Sequence, residues 1–258
     1  MAKSFRDSIF AELSLKYKDV ARKTPVENID IEDFVLDIPD FTSFIWQYKS
    51  IFVDGDFKIP MDNQAPIIID IGANIGLMSM YISKYFPRAK ILAYEADPYI
   101  YGFLEKNIAQ NKIQNIQTFN NALWHKKEKI SFSQTQADAG HISYGFEDGS
   151  IEVESVVLSE VLQNFETIDL LKIDIEGAEL KVLQESEKEL LRVKNLALEV
   201  HTHPKEPQRL SEIFAILEKN GFRYHLHDIN RRVSPLINRE SNGLFDCQAN
   251  IFAYRVYE

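Results

Sequence analysis

From Pro66 onward the chain alternates short apolar runs with segments in which apolar residues return every three or four positions. This is the pattern of parallel strands joined by crossover helices. Pro66-Ile67-Ile68-Ile69-Asp70 reads as a buried strand, and residues 75–86 as the helix after it. Lys90-Ile91-Leu92-Ala93-Tyr94-Glu95 predicts the next strand, a helix follows Pro98 to about residue 111, and residues 115–119 give a third strand. The rhythm resumes with Leu170-Leu171-Lys172-Ile173-Asp174, a helix from about Ala178, Asn195-Leu196-Ala197-Leu198-Glu199-Val200, and a helix over residues 207–220. Two last runs, residues 223–226 and 250–256, are expected to pair as a terminal hairpin.

Two regions depart from this rhythm. Residues 129–158, with Ser131-Phe132-Ser133 and residues 151–157 as its strands, read as an inserted β-hairpin around a Gly-containing loop. Residues 1–65 form an N-terminal extension or cap, followed by one α/β domain over residues 66–258. In the extension Phe5, Ile9, Leu13, Tyr17 and Val20 recur at helical spacing, Pro25 breaks the pattern, and residues 60–66 form a loop. The aromatic run Phe41-Thr42-Ser43-Phe44-Ile45-Trp46-Gln47-Tyr48 is read as the core of this extension, with a lid stacking on a sugar as the alternative. It also offers a surface for a homodimer.

Composition narrows the partners. The chain has 258 residues, enough for a substantial core, and its 45% hydrophobic and 26% charged content suits a globular fold. A net charge of -10, with no basic stripe interleaved with aromatics, disfavours nucleic acid as a partner. The single cysteine, Cys247, rules out an intrachain disulfide and a cysteine-rich zinc site, and is read as a small buried hydrophobe. No run approaches the roughly 18 apolar residues of a membrane span. Asp7, Glu12 and Asp19 argue against a transit peptide, no signal peptide is read, and a cytoplasmic location is expected.

The turn Asp70-Ile71-Gly72-Ala73-Asn74-Ile75-Gly76 lies between a strand and a helix, at the carboxyl edge where doubly wound sheets bind ligands. Gly72 has no Cβ to block a ligand, and free N–H groups at the helix start favour a carboxylate. Asp70, Gly72, Ala73, Asn74 and Gly76 are therefore expected to hold a cofactor. S-adenosylmethionine brings a carboxylate, an ammonium and a sulfonium, which suit a nearby Asp70; a pyrophosphate does not. The dinucleotide frame G-x-G-x-x-G would need glycine where Asn74 and Leu77 stand. Glu95, followed by Ala96, ends the second strand, where a carboxylate accepts ribose hydroxyl protons with either cofactor. Asn121 and Ala122 follow the third strand, where class I methyltransferases meet adenine; a turn-forming role for Asn121 is the alternative.

These residues, in this order, resemble the FkbM family of methyltransferases. The matching motifs are Ile69 to Gly76, the second-strand acid Glu95, Asp174-Ile175-Glu176-Gly177-Ala178-Glu179, and the strand end Glu199-Val200-His201. The lead-in Ile51-Phe52-Val53-Asp54-Gly55-Asp56-Phe57 is similar too, with Phe57 where a tyrosine is common. The resemblance covers about residues 50–230. It implies a class I, Rossmann-like α/β fold with a seven-stranded, mostly parallel sheet and helices on both faces. It also implies S-adenosylmethionine as donor and transfer to an oxygen, often a hydroxyl of a sugar, glycan or natural product. The alternatives are a nucleotide-linked oxidoreductase and a non-catalytic module that binds S-adenosylmethionine.

Methylating a hydroxyl requires in-line attack on the sulfonium methyl while the hydroxyl proton is removed or weakened. Asp174, Glu199 and His201 are the expected catalytic residues, with Asp174 also facing the cofactor. Glu199 and His201 share one face of their strand, so His201 can be a neutral base oriented by Glu199, or the three can hold a divalent cation. Glu176 and Glu179 are read equally as helix-capping acids or as members of the site. His203 is read as a loop residue, His125 and His227 have no evident partner, and the loop Asp138-Ala139-Gly140-His141-Ile142-Ser143 is either an acceptor-binding loop or a hairpin tip.

Overall fold

Strands apolar on both faces need cover on both, and this chain supplies it from different parts of its length. The computed structural model describes residues 2–60, 62–133, 141–142, 150–229, 233–239 and 245–256. The N-terminal segment comprises α1 (Ala2–Lys16), β1 (Val26–Ile31), β2 (Phe34–Ile38), α2 (Phe41–Tyr48) and a π-helical segment, Lys49–Asp54. Next come β3 (Ile67–Ile71), α3 (Leu77–Tyr85), β4 (Lys90–Tyr94), α4 (Pro98–Gln110) and β5 (Ile116–Phe119). The insertion contains β6 (Ala122–Trp124), β7 (Lys129–Ser133), β8 (His141–Ile142), β9 (Ser150–Val157) and α5 (Leu158–Leu162). The rest is β10 (Ile168–Ile173), α6 (Glu179–Glu185), β11 (Val193–Thr202), α7 (Leu210–Lys219), β12 (Phe222–Asp228) and β13 (Cys247–Arg255).

Seven strands make the central sheet in the order β12-β13-β11-β10-β3-β4-β5. Only β13 opposes its neighbours, because it slots between β11 and β12 and runs against both. The chain builds outward from β3 to β5 on one side and from β10 to β11 on the other. The strand order therefore reverses between β3 and β10, and the crevice of such a sheet opens at their carboxyl ends.

One face of the sheet, with Ile68, Ile91 and Leu170, is covered by α3 and by the N-terminal segment through Leu36, Phe44, Tyr48 and Phe52. The other, with Ile69, Leu171 and Leu198, is covered by Leu158, Val182, Leu183 and Leu217 of the later helices. The aromatic run of α2 is core: Phe41, Phe44, Ile45 and Tyr48 are buried and Trp46 is 60% exposed. In α1 the inward face is Ile9, Phe10 and Leu13. Phe5, expected on that stripe, is 67% exposed, because Phe10 shares the inward side with Ile9 and Leu13 and the stripe starts later. Among the described residues no helix is long and apolar enough to cross a membrane.

The expected inserted hairpin is the β7–β9 pair, but it belongs to a four-stranded sheet of its own, β6-β9-β7-β8. Ala122 opens β6 and pairs in parallel with Ser155, so it is a strand residue with 5% exposure, not an open loop position. Residues 138–140 and 143 of the loop, and the side chain of His141, lie outside the described residues.

Asp40 fixes the start of α2. Its carboxylate accepts from Ser43 N at 2.9 Å, Ser43 Oγ at 3.0 Å, Lys23 N at 2.6 Å and Arg22 Nε at 2.9 Å. Burial opposes its charge, but these donors outweigh burial and hold the carboxyl below the ordinary aspartate range. Asp40→Ala is expected to cost about 2–3 kcal/mol in urea unfolding at pH 7. A depressed native pKa gives stability above the unfolded value that is lost as pH falls, so the gap between wild type and variant should begin to close below about pH 3.9.

Candidate active site

Strand register gathers the ionisable residues. Asp70 on β3 pairs with Ala93 on β4 and with Lys172 on β10, and Lys172 pairs with Ala197 on β11. Residues two or four positions further along each strand project from the same face, so Glu95, Asp174, Glu199 and His201 join Asp70 and Lys172 at the carboxyl edge.

Lys172 ties the two halves of the sheet together. Its Nζ donates to Gly72 O at 2.6 Å and to Asp174 Oδ2 at 3.2 Å, and lies 3.9 Å from Asp70 Oδ1. Burial works against its charge, yet Asp174, Asp70 and Glu199 outweigh that and keep its pKa above the usual lysine value. Asp70 is wholly buried and accepts from Ser79 Oγ at 2.7 Å, so it braces the turn from beneath and does not line the crevice. A lysine inside Leu170-Leu171-Lys172-Ile173 was the available clue, since a strand buried on both faces tolerates such a charge only when it is paired.

Gly72 has φ +73°, and a Cβ there would sit 1.9 Å from the carbonyl oxygen of Asp174. The glycine is thus required by the close approach of the β10 end. Within the turn the N–H groups are engaged: those of Gly72 and Ala73 donate to Tyr94 O, Asn74 N to Glu95 Oε2, Ile75 N to Asn74 Oδ1, and Gly76 N to Ala73 O. The turn thus closes on the end of β4 and on its own residues.

Glu95 accepts from Asn74 N at 2.8 Å and Asp97 N at 2.9 Å, one on each oxygen, and each oxygen keeps a lone pair for a further donor. Burial pushes its carboxyl up to about 7. Ala96 is half-buried beside it, and Asn120 Nδ2 donates to the carbonyls of Glu95 and Ala96. Asn121 turns toward the insertion and reaches Glu154 O at 3.4 Å. The residue that shapes this turn is therefore Asn120.

The last group surrounds His201, whose side chain is fully buried. Its Nδ1 is 3.0 Å from Glu179 Oε1, which also accepts from Gly177 N at 2.9 Å. Glu179, not Glu199, thus orients the imidazole, because α6 starts directly behind the ring. On the other side Nε2 lies 3.4 Å from Glu176 Oε2 and 3.4 Å from Glu199 Oε1, without hydrogen-bonding either. Glu199 Oε1 is held by Gln248 Nε2 at 2.6 Å. Asp174, Glu176 and His201 each offer a donor atom within 4.8 Å of the others. Glu176 replaces Glu199 in that cluster because its backbone, at φ +55°, turns the residue back toward β11.

Burial raises Asp174 to about 6 against the pull of Lys172, and raises Glu176 strongly against the pull of His201. Burial would strip His201 of a proton, but the carboxylates of Glu176, Glu179 and Glu199 raise its pKa well above the usual value. Glu199 goes the other way: His201 and Gln248 outweigh burial and lower it. Three other histidines stand apart. His203 Nδ1 accepts from Lys205 N in a loop, His125 packs on Trp124, and His227 packs on Phe252. Cys247 is half-buried at the start of β13.

A sheet of this strand order, with one antiparallel strand and an acid-lined crevice at its switch point, defines a class I methyltransferase. The chain belongs to the FkbM methyltransferase family: residues 70–224 match the family described as the methyltransferase FkbM domain. It is an S-adenosylmethionine-dependent methyltransferase, and the oxidoreductase alternative falls away. It is 32% identical over 212 residues to methyltransferase sdnD of Sordaria araneosa, covering 68% of this chain and 80% of that protein. It is 23% identical over 161 residues to methyltransferase 1 of Beauveria bassiana, covering 53% of this chain and 65% of that one. The crystal structure of methyltransferase FkbM from Methylobacillus flagellatus has the same fold, with a TM-score of 0.51 and 14% identity, over 79% of this chain and 46% of that one.

Proposed function

We propose that this enzyme methylates a hydroxyl oxygen on a small natural product, sugar or glycan. The observation that carries this reading is the pairing of a cofactor turn with His201 Nε2, a buried nitrogen without a hydrogen bond, beside Asp174, Glu176 and Glu199. The sulfonium methyl needs no activation, so the protein's task is to align the acceptor and weaken its O–H bond. Asp174 and His201 stand where an acceptor would meet the methyl group, and Glu95 takes the ribose hydroxyls. Ala73, Asn74 and Gly76 shape the floor of the cofactor site, and Asn121 and Ala122 border its adenine side. The acidic surface, net -10, fits a small or neutral acceptor better than a nucleic acid.

The test combines calorimetry with a methyl-transfer screen by mass spectrometry over polyketide, sugar and glycan alcohols. S-adenosylmethionine should bind, NAD should not, and the product should carry the methyl on oxygen. Transfer only to nitrogen or carbon acceptors would overturn the assignment.

The ribose contact carries a pH dependence. Its acceptor is ionised Glu95, so affinity is full above about pH 7 and declines as pH falls through that value. The Kd for S-adenosylmethionine should rise about tenfold between pH 8 and pH 6, as the competent fraction drops. Calorimetry across that range checks it, and a flat profile would remove Glu95 from ribose binding.

A further inference from the structure

We propose that Asp174, Glu176 and His201 form a binding site for a divalent cation of the Mg2+ or Mn2+ kind, with Glu179 positioning the imidazole. Three buried atoms lack any hydrogen bond, one from each residue: Asp174 Oδ1, Glu176 Oε2 and His201 Nε2. Leaving buried polar atoms unpaired is costly, and three that converge mark a place for an electron-pair acceptor. The partner atoms of two of these groups are already committed. Asp174 Oδ2 accepts from Lys172 Nζ at 3.2 Å, and His201 Nδ1 lies 3.0 Å from Glu179 Oε1. With Nδ1–H donated to a carboxylate, Nε2 faces the cluster, and a cation there would take the place of its proton, which is the arrangement of a metal-ligating histidine and its supporting acid.

Charge points the same way. Asp174, Glu176, Glu179 and Glu199 bring four carboxylates around His201, and Lys172 supplies a single ammonium against them. A dication compensates this excess. Two carboxylates and one imidazole suit Mg2+ or Mn2+, and three protein ligands leave positions open for an oxygen of the acceptor. Glu199 stays outside the set because Gln248 holds its Oε1. The use of the cation in catalysis rests on the hydroxyl-methylation reading; its binding does not.

The experiment titrates the chelator-treated full chain with Mn2+, following free Mn2+ by electron paramagnetic resonance, and measures S-adenosylmethionine binding by calorimetry on the same samples. Wild type should bind one Mn2+ and show nitrogen hyperfine coupling that His201→Ala removes. Glu176→Gln, Asp174→Asn and His201→Ala should each weaken Mn2+ at least about tenfold, and Glu179→Gln about ten- to a hundredfold. Glu176→Gln and Glu179→Gln should leave S-adenosylmethionine affinity within about threefold, as expected for groups that touch only the cation or its ligand. If His201→Ala fails to fold by circular dichroism, Glu176→Gln on the half-buried turn decides. Absence of Mn2+ binding at millimolar metal, or equal affinity in all variants, overturns the site and leaves His201 as an imidazolium among its carboxylates. Mn2+ binding without methyl transfer to any hydroxyl acceptor in the screen leaves the site standing and sinks the hydroxyl-methylation reading instead.

Discussion

Gly72→Ala is expected to lose about 3 kcal/mol or more of stability, and with it S-adenosylmethionine binding. A methyl group at Gly72 would stand 1.9 Å from the Asp174 carbonyl oxygen. Neither side can give way cheaply. Asp174 N donates to Ile71 O at 3.1 Å, and Lys172 Nζ grips Gly72 O from the other side, so both backbones are pinned at the point of contact. Gly177→Ala is the matched control. Its φ is +105°, at least as unfavourable for a side chain, but a Cβ there meets nothing within 4 Å. That variant should lose only about 1–2 kcal/mol from the backbone conformation. Thermal unfolding of the two variants separates collision from conformation, and similar melting temperatures would show that the approach of the two turns is not what Gly72 serves.

His201→Ala is expected to lower kcat by about 10²- to 10⁴-fold while changing S-adenosylmethionine affinity only a few-fold. The ring is enclosed by Glu179 on one side and by Glu176 and Glu199 on the other. Under the proposed hydroxyl methylation it acts on the acceptor, as base or as cation ligand. Glu179→Gln keeps an oxygen for the ring N–H but loses the charge, so it should fall between wild type and His201→Ala. Steady-state kinetics with the acceptor found by screening checks both, and an unchanged kcat in His201→Ala would remove this residue from the mechanism.

Much of this was written locally in the chain. Continuous apolar runs such as Ile67-Ile68-Ile69 and Leu170-Leu171 declare strands buried on both faces, and the motifs place the crevice at their ends. What escaped was either non-local or local without its usual signal. The β1–β2 hairpin turns on Glu32 and Asp33, with φ of +54° and +68°, where Asn-Gly would have announced it. The three residues of β6 pair with a strand more than thirty positions later, and nothing in Ala122-Leu123-Trp124 signals that. Within the site, Glu199 and His201 were visible as neighbours on one strand. The acid that holds the ring, Glu179, comes from a helix on another segment, and its identity required the crossover to be folded.

The placement of β13 has a temporal consequence. Gln248, which secures Glu199 and pairs in register with His201, belongs to the last strand of the described chain, and that strand must enter between β11 and β12. During synthesis the cofactor turn emerges before β13, the strand that completes the edge carrying Glu199 and His201. A chain interrupted before β13 should therefore hold S-adenosylmethionine poorly aligned with any acceptor.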